Sequence, residues 1–119
     1  MAENPWRGEV EIVIDGTARK ARLTLGALAE LEETLGAGSL VELVARFEEG
    51  RFSARDVMAV LAAGLRAGGW PGDAARLASA EIAGGVPAAV AAAGRLLARA
   101  FAGGADGSEG GAGGRASAA

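Results

Sequence analysis

The chain has 119 residues and a formal net charge of −3, and its 20 glycines and 30 alanines leave about 30 large apolar side chains for a core. It contains no His and no Cys, which excludes thiol nucleophiles, disulfides, Cys/His zinc sites and a Ser-His-Asp triad within this chain. Acid–base chemistry would fall to carboxylates, Arg and the single Lys20, a poor set at neutral pH. The composition therefore argues against an enzyme, and no cofactor is expected.

The first predicted element is a β-hairpin. Val10, Ile12 and Ile14 alternate with Glu9, Glu11 and Val13, and Asp15-Gly16 supplies a two-residue type I′ turn. That turn sets the register: Glu11 faces Lys20, Glu9 faces Arg22 and Val13 faces Ala18, while Val10 faces Ala21 and Ile14 faces Thr17. Two opposite-charge pairs from one turn assignment support the register. Arg19 is the exception, falling opposite Ile12 on the apolar side. Because an isolated hairpin is barely stable in water, this one must lie on helices or on another chain's sheet edge.

Helices follow. Leu28, Leu31 and Leu35 form a stripe that Gly36 is placed to end. Ser39 and Glu42 match a capping box, and Leu40, Leu43, Val44 and Phe47 make the buried face of a second helix stopped by Gly50. Ser53 and Asp56 form another such box, opening a third helix with Val57, Met58, Leu61 and Leu65 as its stripe and Gly68-Gly69 as its end. Asp73 would cap a weaker fourth helix carrying Leu77 and Ile82. Gly84-Gly85 break the chain again, Pro87 suits a first helical position, and Val90, Leu97 and Phe101 line the last helix. The expected architecture is α+β: an N-terminal β-hairpin, four to five short helices, and a Gly/Ala-rich C-terminal tail. Residues 1–6 read as a flexible N-terminus, 7–102 as one domain, and 103–119 as a disordered tail.

Burying so few large side chains yields little beyond the conformational entropy it must offset. Such a chain folds marginally alone or gains stability by docking on a partner. Its acidic balance speaks against generic nucleic-acid binding. No run reaches the length of a membrane span, and the first seven residues contain no basic leader followed by an apolar stretch, so the cytoplasm is the expected location.

The sharpest charge feature is acidic. Glu30, Glu32, Glu33, Glu42, Glu48 and Glu49 stand against a single Arg46 between Ala27 and Gly50. They read either as a solvated helix surface or as a docking face for a basic partner. Their spacing lacks the ligands and glycine of a calcium loop. Adjacent carboxylates such as Glu32 and Glu33 point to different sides of a helix, which gives no catalytic pair. The glycine doublets match no phosphate-loop pattern and read as helix stops. Trp6 and Trp70 lie in Pro-flanked contexts and are open to two roles, core packing or a partner-facing anchor. Arg66, Arg95 and Arg99 could form a basic patch, with solvated surface as the default.

The order of elements carries a resemblance. The runs Arg7 to Val10, Leu23 to Glu32, Leu40 to Phe47, Gly50 to Ser53 with Asp56, and Leu61 to Gly69 resemble the small tail protein of bacterial gene transfer agents, which are phage-like particles of alphaproteobacteria. That protein is similar to tail assembly chaperones of long-tailed phages and has also been labelled a tail tube protein. The resemblance covers residues 7–102 and is most specific over 23–69. It implies a non-catalytic assembly factor that binds the helical tape measure protein, keeps it soluble and helps recruit tail tube subunits. The runner-up is a tube or connector component retained in the mature particle. Partners would be the acidic 30–49 region's ligand or a strand added at the hairpin edge, and the exposed edges would also allow self-association. The family's pattern supplies no catalytic residue.

Overall fold

The computed structural model describes residues 8–35 and 40–106, with side chains through Phe101. Strands β1 (Val10–Ile14) and β2 (Thr17–Ala21) pair antiparallel in the register set by the turn, from Val10 opposite Ala21 to Ile14 opposite Thr17. Asp15 and Gly16 both take positive φ, 51° and 82°, the backbone that a type I′ hairpin demands. Val10, Ile12, Ile14 and Ala21 are buried, and Arg19 sits half-buried opposite Ile12 as expected. The ladder ends at Val10–Ala21, so Glu9 and Arg22 fall beyond it and share a small depression beside Gly68.

Five helices follow: α1 (Leu25–Leu35), α2 (Leu40–Glu48), α3 (Ala54–Ala67), α4 (Ala74–Ser79) and α5 (Gly85–Asp106). Thr24 caps α1, its Oγ1 accepting the Ala27 N–H at 3.1 Å. Leu31 is buried, while Leu28 and Leu35 of the same stripe pack on the core from its margin. In α2 the expected face is present, with Leu43 buried and Leu40, Val44 and Phe47 partly so. Gly36 and Ser39 lie outside the described residues, as do Trp6 and positions 107–119.

The capping box opening α3 is complete. Ser53 Oγ accepts the Asp56 N–H at 3.1 Å, and Asp56 Oδ2 accepts the Ser53 N–H at 3.0 Å. The same carboxylate receives Arg46 of α2 through its other oxygen at 2.9 Å, so one buried aspartate both starts α3 and ties α2 to it. Helix α3 is the axis of the molecule, packing against α1, α4, α5 and β2. It is buried on more sides than its apolar stripe predicts: Ala59, Val60, Ala62 and Ala63 join Val57, Leu61 and Leu65, whereas Met58 is only half-buried.

Two expectations in the C-terminal half are corrected. Helix α4, capped by Asp73 through the Arg76 N–H at 2.9 Å, ends at Ser79 and does not carry Ile82. Ile82 instead forms an antiparallel bridge to Ile14. Around it Asp15 donates to Glu81 O at 2.8 Å, Ala83 donates to Val13 O at 3.1 Å, and Asp15 Oδ1 accepts the Glu81 N–H at 2.9 Å. The hairpin's open edge attracts this segment because its unpaired backbone groups need partners. Helix α5 buries Ala89, Ala92, Ala93, Leu96 and Leu97, leaving Val90 and Phe101 toward its margin. Its backbone runs to Asp106, past the boundary expected at Gly103.

Alanine supplies eight of the 21 buried apolar residues among those described. The elements consequently approach closely, most of all where β2 crosses Gly64 and Gly68. A Cβ built on Gly68 would lie 2.0 Å from Lys20 O, and one on Gly64 would touch Leu96 at 3.0 Å. Gly68→Ala is therefore expected to cost about 3 kcal/mol by forcing backbone apart. Gly26→Ala, whose Cβ meets nothing closer than Thr24 Oγ1 at 3.8 Å, gains up to about 1 kcal/mol from reduced chain entropy. Urea unfolding of the two variants measures both signs.

Candidate protein-interaction site

A large concave feature lies where α3, α4, the bridge segment and the start of α5 meet. Alanine and glycine on these elements leave the space between them unfilled, and the depression encloses about 760 Å³. Leu61 and Leu77 are buried in its floor, and Phe52, Met58, Ile82 and Val90 supply its half-buried apolar walls. Val86, on the first turn of α5, stands at the mouth with 76% of its surface exposed. Among the described residues, Glu81 is the sole charged one lining it.

A smaller depression of about 190 Å³ lies between α2 and α5, lined by Val44, Phe47, Gly94, Leu97 and Glu48, and it shares Phe52 and Val90 with the larger one. Phe47 and Phe52 stack with ring centroids 4.9 Å apart and planes inclined by 17°. That stack bridges the end of α2 to the segment entering α3, and its Phe52 lines both hollows.

Five of the six acidic candidates are distributed over two helices with different supports, since α1 packs on α3 and α2 on α5, and Glu49 lies in the turn after α2. Glu30 is half-buried and paired with Arg66 of α3. Glu49 is paired with Arg51 at 2.7 Å. Glu32, Glu33, Glu42 and Glu48 are exposed, and Glu48 opens onto the smaller hollow. Trp70 resolves toward the core: only 7% exposed, it folds back over Gly72, and its N–H donates to Leu65 O at 2.9 Å. The Trp70 partner-facing reading is thereby corrected, because a side chain already enclosed by its own chain cannot serve as a surface anchor.

Arg99, one of three arginines considered for a basic patch, instead reaches the Glu9 carbonyl of the strand approach. Arg66 is taken by Glu30. At the hairpin, the outer edge of β1 is bonded to residues 81–83, and the outer edge of β2 meets Gly64 and Gly68 of the α3 end from Lys20 onward, which confines any strand addition to the exposed stretch at Thr17 and Ala18.

Among the described residues no cluster of three or more acidic side chains could hold a metal ion, and no helix is long and apolar enough to cross a membrane. The apolar hollows escaped the sequence reading. Their walls come from four separate elements, and the one local signal was an excess of alanine and glycine after Ala54.

A family model described as phage tail tube protein, GTA-gp10, matches residues 7–103. No match to the chain is found among curated proteins or among solved structures.

The hollow's floor and mouth should respond differently to substitution. Leu61→Ala, at 1% exposure, is expected to cost about 2–5 kcal/mol. Val86→Gln, at the exposed mouth, is expected to change stability by less than about 0.5 kcal/mol. Thermal denaturation of both variants checks the contrast.

Proposed function

The chain belongs to the phage tail tube protein family of gene transfer agents, and from that membership we propose that it is a non-catalytic tail assembly chaperone that binds the tape measure protein and helps recruit tail tube subunits. The observation that carries this reading is the open apolar hollow at the α3–α5 junction. Contiguous exposed apolar surface marks a protein-binding site, and hollows lined by side chains from several helices suit a helical guest.

The distribution of the other exposed apolar residues supports a guest from a different protein. A subunit of a stacked tube must carry both halves of a heterologous contact, a hollow and the ridge that fills the next hollow. Among the described residues, Leu25 (86% exposed), Val41 (73%) and Phe101 (39%) stand on three different helices, and sequence spacing joins none of them into a ridge. The acidic residues of α1 and α2 would add attraction for a basic partner surface. Such a chaperone would act where tails assemble, in the cytoplasm.

The family description itself favours a second reading, a structural tube or connector component retained in the mature tail. Quantitative mass spectrometry of purified particles separates the two. The chaperone role predicts that the chain is absent from finished particles and co-purifies with the tape measure protein from cells assembling tails. Many copies per finished particle would establish the structural role in its place.

A further inference from the structure

The two hollows adjoin at Phe52 and Val90, which line both, and together make a trough that borders α5 from Val86 to Ala98. The twelve steps of helix from position 86 to position 98 rise by about 18 Å, enough to lie alongside three turns of a second helix. Among the described residues, neither β1 nor β2 lines this trough. In the extended segment at its side, Glu81 and Ala83 are bonded to Asp15 and Val13 of the hairpin, and Ile82 O accepts the Gly85 N–H. A guest must therefore satisfy its own backbone hydrogen bonds, which an α-helix does and an added strand does not.

Charge restricts the guest further. Glu81 lines the larger hollow and Glu48 the smaller, both exposed, and among the described residues no basic side chain lines either. The apolar floor is thus bordered by carboxylates contributed by its two component hollows. From this arrangement we propose that the trough receives an amphipathic helix of a partner protein, with large apolar side chains on one face and Lys or Arg at both ends. This occupant rests on the protein-binding role proposed above and adds the chemistry of the partner segment. At Gly94, where a Cβ would meet nothing within 4 Å, the guest can approach the α5 backbone closely.

The test uses the full chain and a synthetic peptide of about 15 residues, with Leu at i, i+3, i+4 and i+7 spacing and a Lys-Arg pair at each end. A second peptide carries Glu pairs at the ends, and a third has the same composition in scrambled order. Isothermal titration should show saturable binding of the first, with the other two weaker by about tenfold or more. Val86→Asp with Val90→Asp should weaken binding by a similar factor while circular dichroism reports an unchanged fold. Glu48→Lys with Glu81→Lys should reverse the preference toward the Glu-ended peptide, and Glu32→Lys with Glu33→Lys should leave it unaltered.

Equal binding of the Lys-ended and Glu-ended peptides overturns the assignment, as does binding undiminished by the Val86 and Val90 changes. An absence of saturable binding does so too, and so does a homodimer that Val86→Asp dissociates in sedimentation experiments. Any of these results alongside tape measure co-purification would leave the chaperone role intact and place its contact elsewhere on the surface.

Discussion

At Gly64 and Gly68 the third helix meets the hairpin backbone to backbone. The Arg22 N–H donates to Gly64 O at 3.0 Å, and Lys20 O lies where a Gly68 side chain would begin. Gly68 leaves the room for this contact, since a Cβ there would run into Lys20 O, and Gly64 one turn earlier leaves the room that the Leu96 side chain of α5 takes up. With β2 seated there, Val10, Ile12 and Ile14 are carried into the core. The outer edge of β1 is then held where residues 81–83 can bridge to it. Helix α5 completes the arrangement by packing on both α3 and β1. A hairpin that would be marginal alone is made part of the core by a missing pair of methyl groups.

What the sequence makes legible is governed by distance along the chain. The hairpin register follows from Asp15-Gly16, and the start of α3 follows from Ser53 and Asp56, because turn and cap chemistry act within a few residues. The bridge of Ile82 to Ile14 was hidden: its stabilising groups sit on β1, and the local pattern around Leu77 reads equally well as helix. The buried face of α5 is legible only in part, at Leu97 and the half-buried Val90. Ala89, Ala92 and Ala93 are small enough to look neutral in any periodicity, and Phe101, in line with that stripe, is exposed. The burial of Trp70 likewise depends on its ring closing over Gly72, a contact that a Trp-Pro-Gly turn allows without announcing.

The candidate site follows from the same economy of side-chain volume. Alanine lets helices approach closely where they are matched, and leaves a hollow where they diverge. Between α3 and α5 both outcomes occur: Leu96 closes on Gly64, whereas Val86 and Val90 diverge from Met58 and Leu77 around open space. The acidic residues show the corresponding split in charge. Glu30 and Glu49 are engaged with Arg66 and Arg51 of their own chain, while Glu48 and Glu81 border apolar concavities where a second protein's cations would find them.

Asp15 holds the tip of the hairpin in left-handed backbone, donates its N–H to Glu81 O, and accepts the Glu81 N–H on its carboxylate. The wall of the trough is thus bonded to the hairpin turn through both backbone and side chain, and it stands in place before any guest arrives. A helix entering such a preformed channel orders itself alone, without also ordering the receptor. Association can then proceed as a single docking event, with little of the delay that a conformational gate imposes. Retention time is left to the fit of apolar side chains, which suits a transient escort that must eventually release what it holds.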